Sequence, residues 1–122
     1  MKKILIIEDE KMLAEMYKDK FVQEGFDVYC EIDAEEGMKR AKEIRPDLII
    51  LDILLPQASG TDFLEKLRSD EEISATKVIA YSNYDDAESK EKAKKLGAKE
   101  YLIKTNYTPK EVLDIVNRHL EE

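Results

Sequence analysis

Three features of this sequence predict an α/β fold built on a parallel sheet. Short aliphatic runs alternate with longer amphipathic segments five times along the chain. The aliphatic runs are nearly continuous instead of alternating with polar residues, as in strands covered on both faces. Capping or terminating residues stand at the ends of the amphipathic segments. Alternation of this kind implies helices on both faces of a parallel sheet, a doubly wound (βα)5 unit in three layers.

The elements follow in order. Lys3–Ile7 is the first strand, and Lys11–Glu24 is a helix with Leu13, Met16, Tyr17 and Phe21 on one face, stopped by Gly25. Phe26–Ile32 is β-prone. Asp33-Ala34-Glu35-Glu36 resembles a capping box with Asp in place of Ser or Thr, and opens a helix to about Ile44 that Pro46 blocks. Leu48–Leu51, the most apolar run, reads as the central strand, followed by a loop from Asp52 to Gly60. Thr61–Ser69 carries Phe63, Leu64 and Leu67 on one face. Lys77–Tyr81 is the fourth strand, Asp85–Leu96 a helix closed by Gly97, and Glu100–Ile103 the fifth strand. Thr108-Pro109-Lys110-Glu111 combines an N-cap, a proline at N1 and a glutamate at N3, and Val112, Ile115, Val116 and His119 then share a face.

The chain has 122 residues, the length of one domain, with no internal repeat or linker. With 43% hydrophobic and 39% charged residues it is neither collagen-like nor low in complexity nor wholly disordered. A formal net charge of -8 repels nucleic acid and anionic membrane, so neither is expected as a direct partner. The single Cys30 excludes an intrachain disulfide and a multi-thiolate metal site. The opening Met1-Lys2-Lys3 and Ile4–Ile7 imitate a signal peptide, but Glu8-Asp9-Glu10 ends the apolar stretch too early. Leu48–Leu51 is far below the ~20 residues that span a bilayer. The expectation is a cytoplasmic protein.

In a doubly wound sheet the site lies beyond the carboxyl ends of the strands. The residues there are Glu8-Asp9, Asp52, Ser82-Asn83 and Lys104, with Glu31 and Asp33 after the second strand. Asp52 follows four aliphatic residues and precedes three more, and a charge in such surroundings needs partners. Carboxylates gathered at one edge repel one another, which a lysine or a divalent cation relieves. Oxygen-only ligands suit Mg²⁺ or Mn²⁺ better than zinc. An aspartate can also accept a phosphoryl group, given a metal, a cation and a hydroxyl donor. Asp9, Lys104 and Ser82 are the residues that would fill those roles.

Taken in order, Glu8-Asp9 after Ile4–Ile7, Asp52 after Leu48–Leu51, Pro56 and Gly60 at +4 and +8, Ser82, and Lys104 at the end of the fifth strand resemble the receiver domain of two-component response regulators. The resemblance covers essentially the whole chain and implies the flavodoxin-like strand order 2-1-3-4-5. It implies Asp52 as phosphoacceptor, and Mg²⁺ bound through Asp9 and Asp52, through Glu8 by way of a water, and through the backbone carbonyl of Leu54. It implies that Lys104 and Ser82 contact the phosphoryl oxygens. Tyr101, three residues before Lys104, would be the switch aromatic that repacks the face of the fourth helix, fifth strand and fifth helix. The phosphodonor would be a sensor histidine kinase or a histidine phosphotransfer protein, and an unknown protein would be the downstream partner. The protein would be a signalling module that catalyses its own phosphorylation and dephosphorylation, not a turnover enzyme. The resemblance implies a receiver over residues 1–122 with no output domain visible, either standing alone or excised from a longer regulator.

Two positions depart from the family pattern. Thr105 stands where a proline with a cis bond is usual, and a trans Lys104–Thr105 bond is expected because cis costs ~3–4 kcal/mol outside proline. Asn83 stands where a small residue is usual, and narrowed access to Asp52, slower phosphotransfer or a contact with the incoming water, and with them an altered autodephosphorylation, are the expected consequences. A receiver-like interaction module that takes no phosphate, a flavodoxin-like cofactor binder and a small phosphatase are the alternatives. Glu8-Asp9-Glu10 opposes the second, because it would repel a cofactor phosphate. His119 and Cys30 read as packing residues. Lys90, Lys92, Lys94, Lys95 and Lys99 read as a solvated face, and Tyr81, Tyr84, Tyr101 and Tyr107 as a group near the switch face.

Overall fold

The computed structural model describes residues 1–55 and 58–122; Pro56, singled out in the sequence, and Gln57 lie outside the described residues. Strands β1 (Lys3–Ile7), β2 (Asp27–Glu31), β3 (Leu48–Asp52), β4 (Lys77–Ser82) and β5 (Glu100–Ile103) alternate with helices α1 (Lys11–Gln23), α2 (Ala34–Ile44), α3 (Gly60–Ser69), α4 (Ala87–Lys95) and α5 (Pro109–Leu120). The strands pair in parallel in the order β2-β1-β3-β4-β5. The chain reverses its direction of travel across the sheet between β1 and β3, which opens a crevice at their carboxyl ends.

Every residue of β3 is buried, and β1 is buried after Lys3, because helices cover both faces. On one face Ile4, Ile6, Leu48, Ile50, Ile79 and Leu102 pack under Tyr17 and Phe21 of α1 and Val112 and Val116 of α5. On the other, Leu5, Ile7, Ile49, Leu51, Val78 and Ala80 pack under Ala41 of α2, Phe63 and Leu67 of α3, and Ala93 of α4. Two cores on a period-two backbone explain the continuous aliphatic runs, since neither face has room for polar residues.

The helix ends follow local chemistry. Thr108 and Glu111 form the full capping box expected for α5, with backbone N–H groups donated to the opposite side chain at 3.2 and 2.8 Å. Asp33 caps α2 by accepting from the Glu36 N–H at 2.8 Å, which is half of that motif. Helix α3 begins one residue before the expected Thr61, because Ser59 accepts from the Asp62 N–H at 3.1 Å and draws Gly60 into the first turn. Helix α4 begins two residues after the expected Asp85. The Asp86 carboxylate takes the Ser89 hydroxyl at 2.6 Å and leaves the backbone donors uncapped. Lys104–Asn106 coils into one 3-10 turn, and the Lys104–Thr105 bond is trans, as no cis peptide occurs among the described residues.

Of the four tyrosines expected together, Tyr84 and Tyr101 are neighbours and the other two lie on the opposite face of the sheet. Tyr81 is buried in the α1/α5 core, Tyr107 packs at its margin, Tyr101 lies half-buried on the opposite face and Tyr84 is exposed. Strand alternation sends Tyr81 and Ser82 to opposite sides, so adjacency in sequence is not adjacency in space. Cys30 is a half-buried strand residue with Sγ 3.9 Å from the Ala14 carbonyl oxygen. No described helix is long and apolar enough to cross a membrane.

Candidate functional site

Alternation along the strands decides which chemistry-bearing residues meet. Ile4 and Ile6 face α1 and α5, so Glu8, next in that series, points to the same side. Asp52 follows Leu48 and Ile50, Tyr81 follows Ile79, and Lys104 follows Leu102. Asp52 is also the direct neighbour of Tyr81 in the β3–β4 register. The three charged side chains converge at the crevice: Lys104 Nζ lies 2.7 Å from Glu8 Oε1 and 3.2 Å from Asp52 Oδ2. Their side chains are 7, 0 and 4% exposed. The phenol of Tyr81 donates to Glu8 Oε1 at 2.7 Å, and its ring lies under the ammonium, 4.6 Å from Nζ to centroid.

Backbone donors complete the cluster. The Leu54 N–H is donated to Asp52 Oδ1 at 2.9 Å and the Glu10 N–H to Glu8 Oε2 at 3.0 Å. Gly60 presses α3 against this segment. Its N–H is donated to the Ile53 carbonyl at 2.9 Å, and a Cβ at that position would stand 2.5 Å from the Asp52 carbonyl oxygen. No side chain fits there without moving Asp52.

The electrostatics split the two acids. Burial pushes the Asp52 carboxyl up, and the neighbouring Glu8 carboxylate pushes it further, to about 7, against the Leu54 N–H and Lys104. Burial also raises Glu8, but the donors Lys104, Tyr81 and Glu10 N–H outweigh it and hold Glu8 below the usual carboxylate range. Burial pushes Lys104 down, while Glu8 and Asp52 more than offset this and raise it.

Asp9, exposed at the rim, completes an acidic triad. One carboxylate oxygen each from Glu8, Asp9 and Asp52 lie within 4.8 Å of one another. Three carboxylates facing one ammonium leave excess negative charge, and an all-oxygen donor set of this size fits a hard divalent cation such as Mg²⁺ or Mn²⁺.

The remaining sequence candidates separate into two groups. Ser82 is buried at the end of β4, its Oγ accepting the Tyr84 N–H at 3.2 Å, and the Tyr101 hydroxyl lies 3.5 Å from the Tyr84 carbonyl. Both expected switch residues thus contact the backbone of Tyr84. No hydrogen bond joins Ser82 to Asp52 among the described residues. Asn83 is exposed beside Ser82. Glu31 and Asp33 serve the scaffold instead: Glu31 accepts from Arg40 Nε at 2.9 Å, and Asp33 caps α2. A cavity of about 590 Å³ between α2 and α3, lined in part by Asp33, Met38, Lys42 and Phe63, holds none of the acidic triad. The buried charges converge at the triad and not in that cavity.

Tyr81, read from the sequence only as one of a tyrosine group near the switch face, contacts Glu8 and Lys104 instead. Its signal was its place on the same strand parity as Glu8, Asp52 and Lys104, which requires the register to be known.

Such a sheet, with an acidic crevice and a lysine at the end of the fifth strand, defines a doubly wound α/β protein whose candidate site lies at the carboxyl edge. The chain belongs to the response regulator receiver domain family, whose model matches residues 4–117. It is similar to the alkaline phosphatase synthesis transcriptional regulatory protein PhoP of Bacillus subtilis, at 32% identity over 91% of this chain. The chain spans 45% of that relative's length. Among solved structures it resembles the CheY-like response regulator receiver domain protein of Methanospirillum hungatei, at 27% identity and a TM-score of 0.92, covering 99% of this chain and 94% of that one. The chemotaxis response regulator CheY4 of Vibrio cholerae superposes with a TM-score of 0.88 at 25% identity, over 97% of this chain and 98% of its own.

Proposed function

We propose that this receiver accepts a phosphoryl group on Asp52 from a phosphohistidine of a sensor kinase or histidine phosphotransfer protein. The observation that carries this reading is the buried contact of Lys104 with both Glu8 and Asp52, with Asp9 in reach. An Asp52 carboxylate oxygen forms the new P–O bond as the donor's P–N bond breaks. The imidazole nitrogen leaves with the electron pair and takes a proton from solvent. Asp52 is deprotonated in the reactive form, and Lys104 supplies a fixed positive charge for the phosphoryl oxygens. Asp9 and Asp52 would hold Mg²⁺ or Mn²⁺ directly, Glu8 through a water and Leu54 through its carbonyl. When bound, the ion would supply positive charge that offsets the negative charge of the phosphoryl oxygens.

Ser82 donates its hydroxyl to a phosphoryl oxygen in this reading, giving up the Tyr84 N–H contact. That frees the β4–α4 turn and lets Tyr101 rotate, repacking the α4-β5-α5 face for a downstream protein. The module is a cytoplasmic signalling switch of one receiver domain over residues 1–122, not a turnover enzyme.

The test is incubation with Mg²⁺ and acetyl phosphate, followed by intact mass. One phosphate per chain is expected, absent from Asp52→Asn and released by hydroxylamine as an acyl phosphate. A wild-type chain that gains no phosphate from acetyl phosphate or from any histidine kinase would leave the interaction-module alternative standing.

A further inference from the structure

One oxygen, Glu8 Oε1, accepts two hydrogen bonds, from Lys104 Nζ and from the Tyr81 hydroxyl, both at 2.7 Å. Tyr81 therefore touches both members of the buried ion pair, its ring the cation and its hydroxyl the anion. The ring is 1% exposed and packs edge-on against Tyr17 with centroids 6.0 Å apart, so it is held firmly. Hydrogen bonds to a charged acceptor and cations over aromatic rings are both strengthened by burial.

We propose that Tyr81 is a positioning residue that clamps Glu8 and Lys104 together and so sets how readily the acidic triad accepts a divalent cation. An ion arriving beside Glu8 competes with the donors already on that carboxylate. While the phenol is in place, part of the Glu8 charge is already satisfied. Removing the hydroxyl alone leaves a buried carboxylate short of one donor, and a cation then has more to gain. The inference rests on the reading of the triad as a cation site, and its test uses Mg²⁺ without any phosphodonor.

Tyr81→Phe keeps the ring over Lys104 and deletes only the hydroxyl. Mg²⁺ affinity, read from the dependence of thermal unfolding on Mg²⁺ concentration, should tighten about threefold or more, because a donor to a charged group is lost. In a Glu8→Gln background the same change should leave Mg²⁺ affinity unmoved, since the two effects run through one contact. An unchanged affinity with a lowered unfolding temperature would make Tyr81 a packing residue and overturn the proposal, as would equal tightening in both backgrounds. If Tyr81→Phe does not fold, wild-type protein labelled with ¹³C at tyrosine Cζ gives the answer. Mg²⁺ should move the Tyr81 resonance and not that of exposed Tyr84, and a stationary Tyr81 signal overturns the idea. Wild type that binds Mg²⁺ but takes no phosphate defeats the proposed function and leaves this inference intact. Wild type whose stability ignores Mg²⁺ defeats this inference, whatever its phosphorylation.

Discussion

At the carboxyl end of the sheet Lys104 lies between Glu8 and Asp52, with side chains 7, 0 and 4% exposed. At the amino end His119 lies between Glu100 and Glu122, with Nε2 and Nδ1 2.8 and 3.1 Å from their carboxylates and side chains 10, 34 and 45% exposed. Lys77 and Lys99 join the second cluster, Lys77 donating to the His119 carbonyl at 2.6 Å and Lys99 reaching Glu122 at 3.3 Å. Both clusters combine carboxylates with cations. Water reaches the glutamates of the second, which pins the end of α5 to β4 and β5. The first is dry, so its charges depend on one another, and a change in any one of them is felt by the rest. Burial, not the residue types, sets how strongly the charges of a cluster depend on one another.

The largest test of that contrast is Lys104→Met. It leaves two buried carboxylates without their cation, and a loss of about 3–5 kcal/mol is expected in urea unfolding at pH 8 without divalent ions. A loss under ~1 kcal/mol would mean that water reaches the crevice as it does the amino end.

Next is the pH profile of the metal-free protein. Asp52 holds its proton to about pH 7 when folded and releases it near 4 when unfolded, so its contribution is complete below pH 4 and is lost as pH rises through 7. Stability should fall by on the order of 3 kcal/mol between pH 4.5 and 8, and Asp52→Asn should flatten that slope. Glu8 acts in the opposite sense below its ordinary range, since its lowered carboxyl contributes stability that is lost only on further acidification. A flat wild-type profile between pH 5 and 8 would show that Asp52 is ionised throughout.

A smaller effect is expected from the ion itself. At about ten times its dissociation constant, Mg²⁺ should add ~1.4 kcal/mol to unfolding stability at pH 8, and Asp9→Asn should remove most of the gain. Equal gains in both proteins would place the ion away from the triad. The smallest effect belongs to the amino end. Lys99→Ala breaks a pair that is 42 and 45% exposed and should change stability by less than ~0.5 kcal/mol, with phosphate uptake unaltered.

Much of this was legible before any coordinates. The aliphatic runs at Ile4–Ile7 and Leu48–Leu51, the capping box at Thr108 and the stops at Gly25 and Gly97 are local signals, and each element formed where its signal stood. The start of α4 was not legible, because whether Asp86 bonds Ser89 or its own backbone is a choice between similar local contacts. The acids and lysine of the crevice could be named because strand-end positions are countable from sequence once the fold class is known.

By itself the sequence determined the elements, the parallel sheet and the set of residues at its carboxyl edge, since hydrophobic period and capping act over a few residues. Tertiary structure alone decided that Tyr81 joins Glu8 and Lys104 while Ser82 turns away. It also decided that Gly60 is pressed against Asp52 and that one charged cluster is dry and the other wet. Those outcomes depend on register and on what covers each end of the sheet, and a chain's neighbours in space are set only when the strands pair.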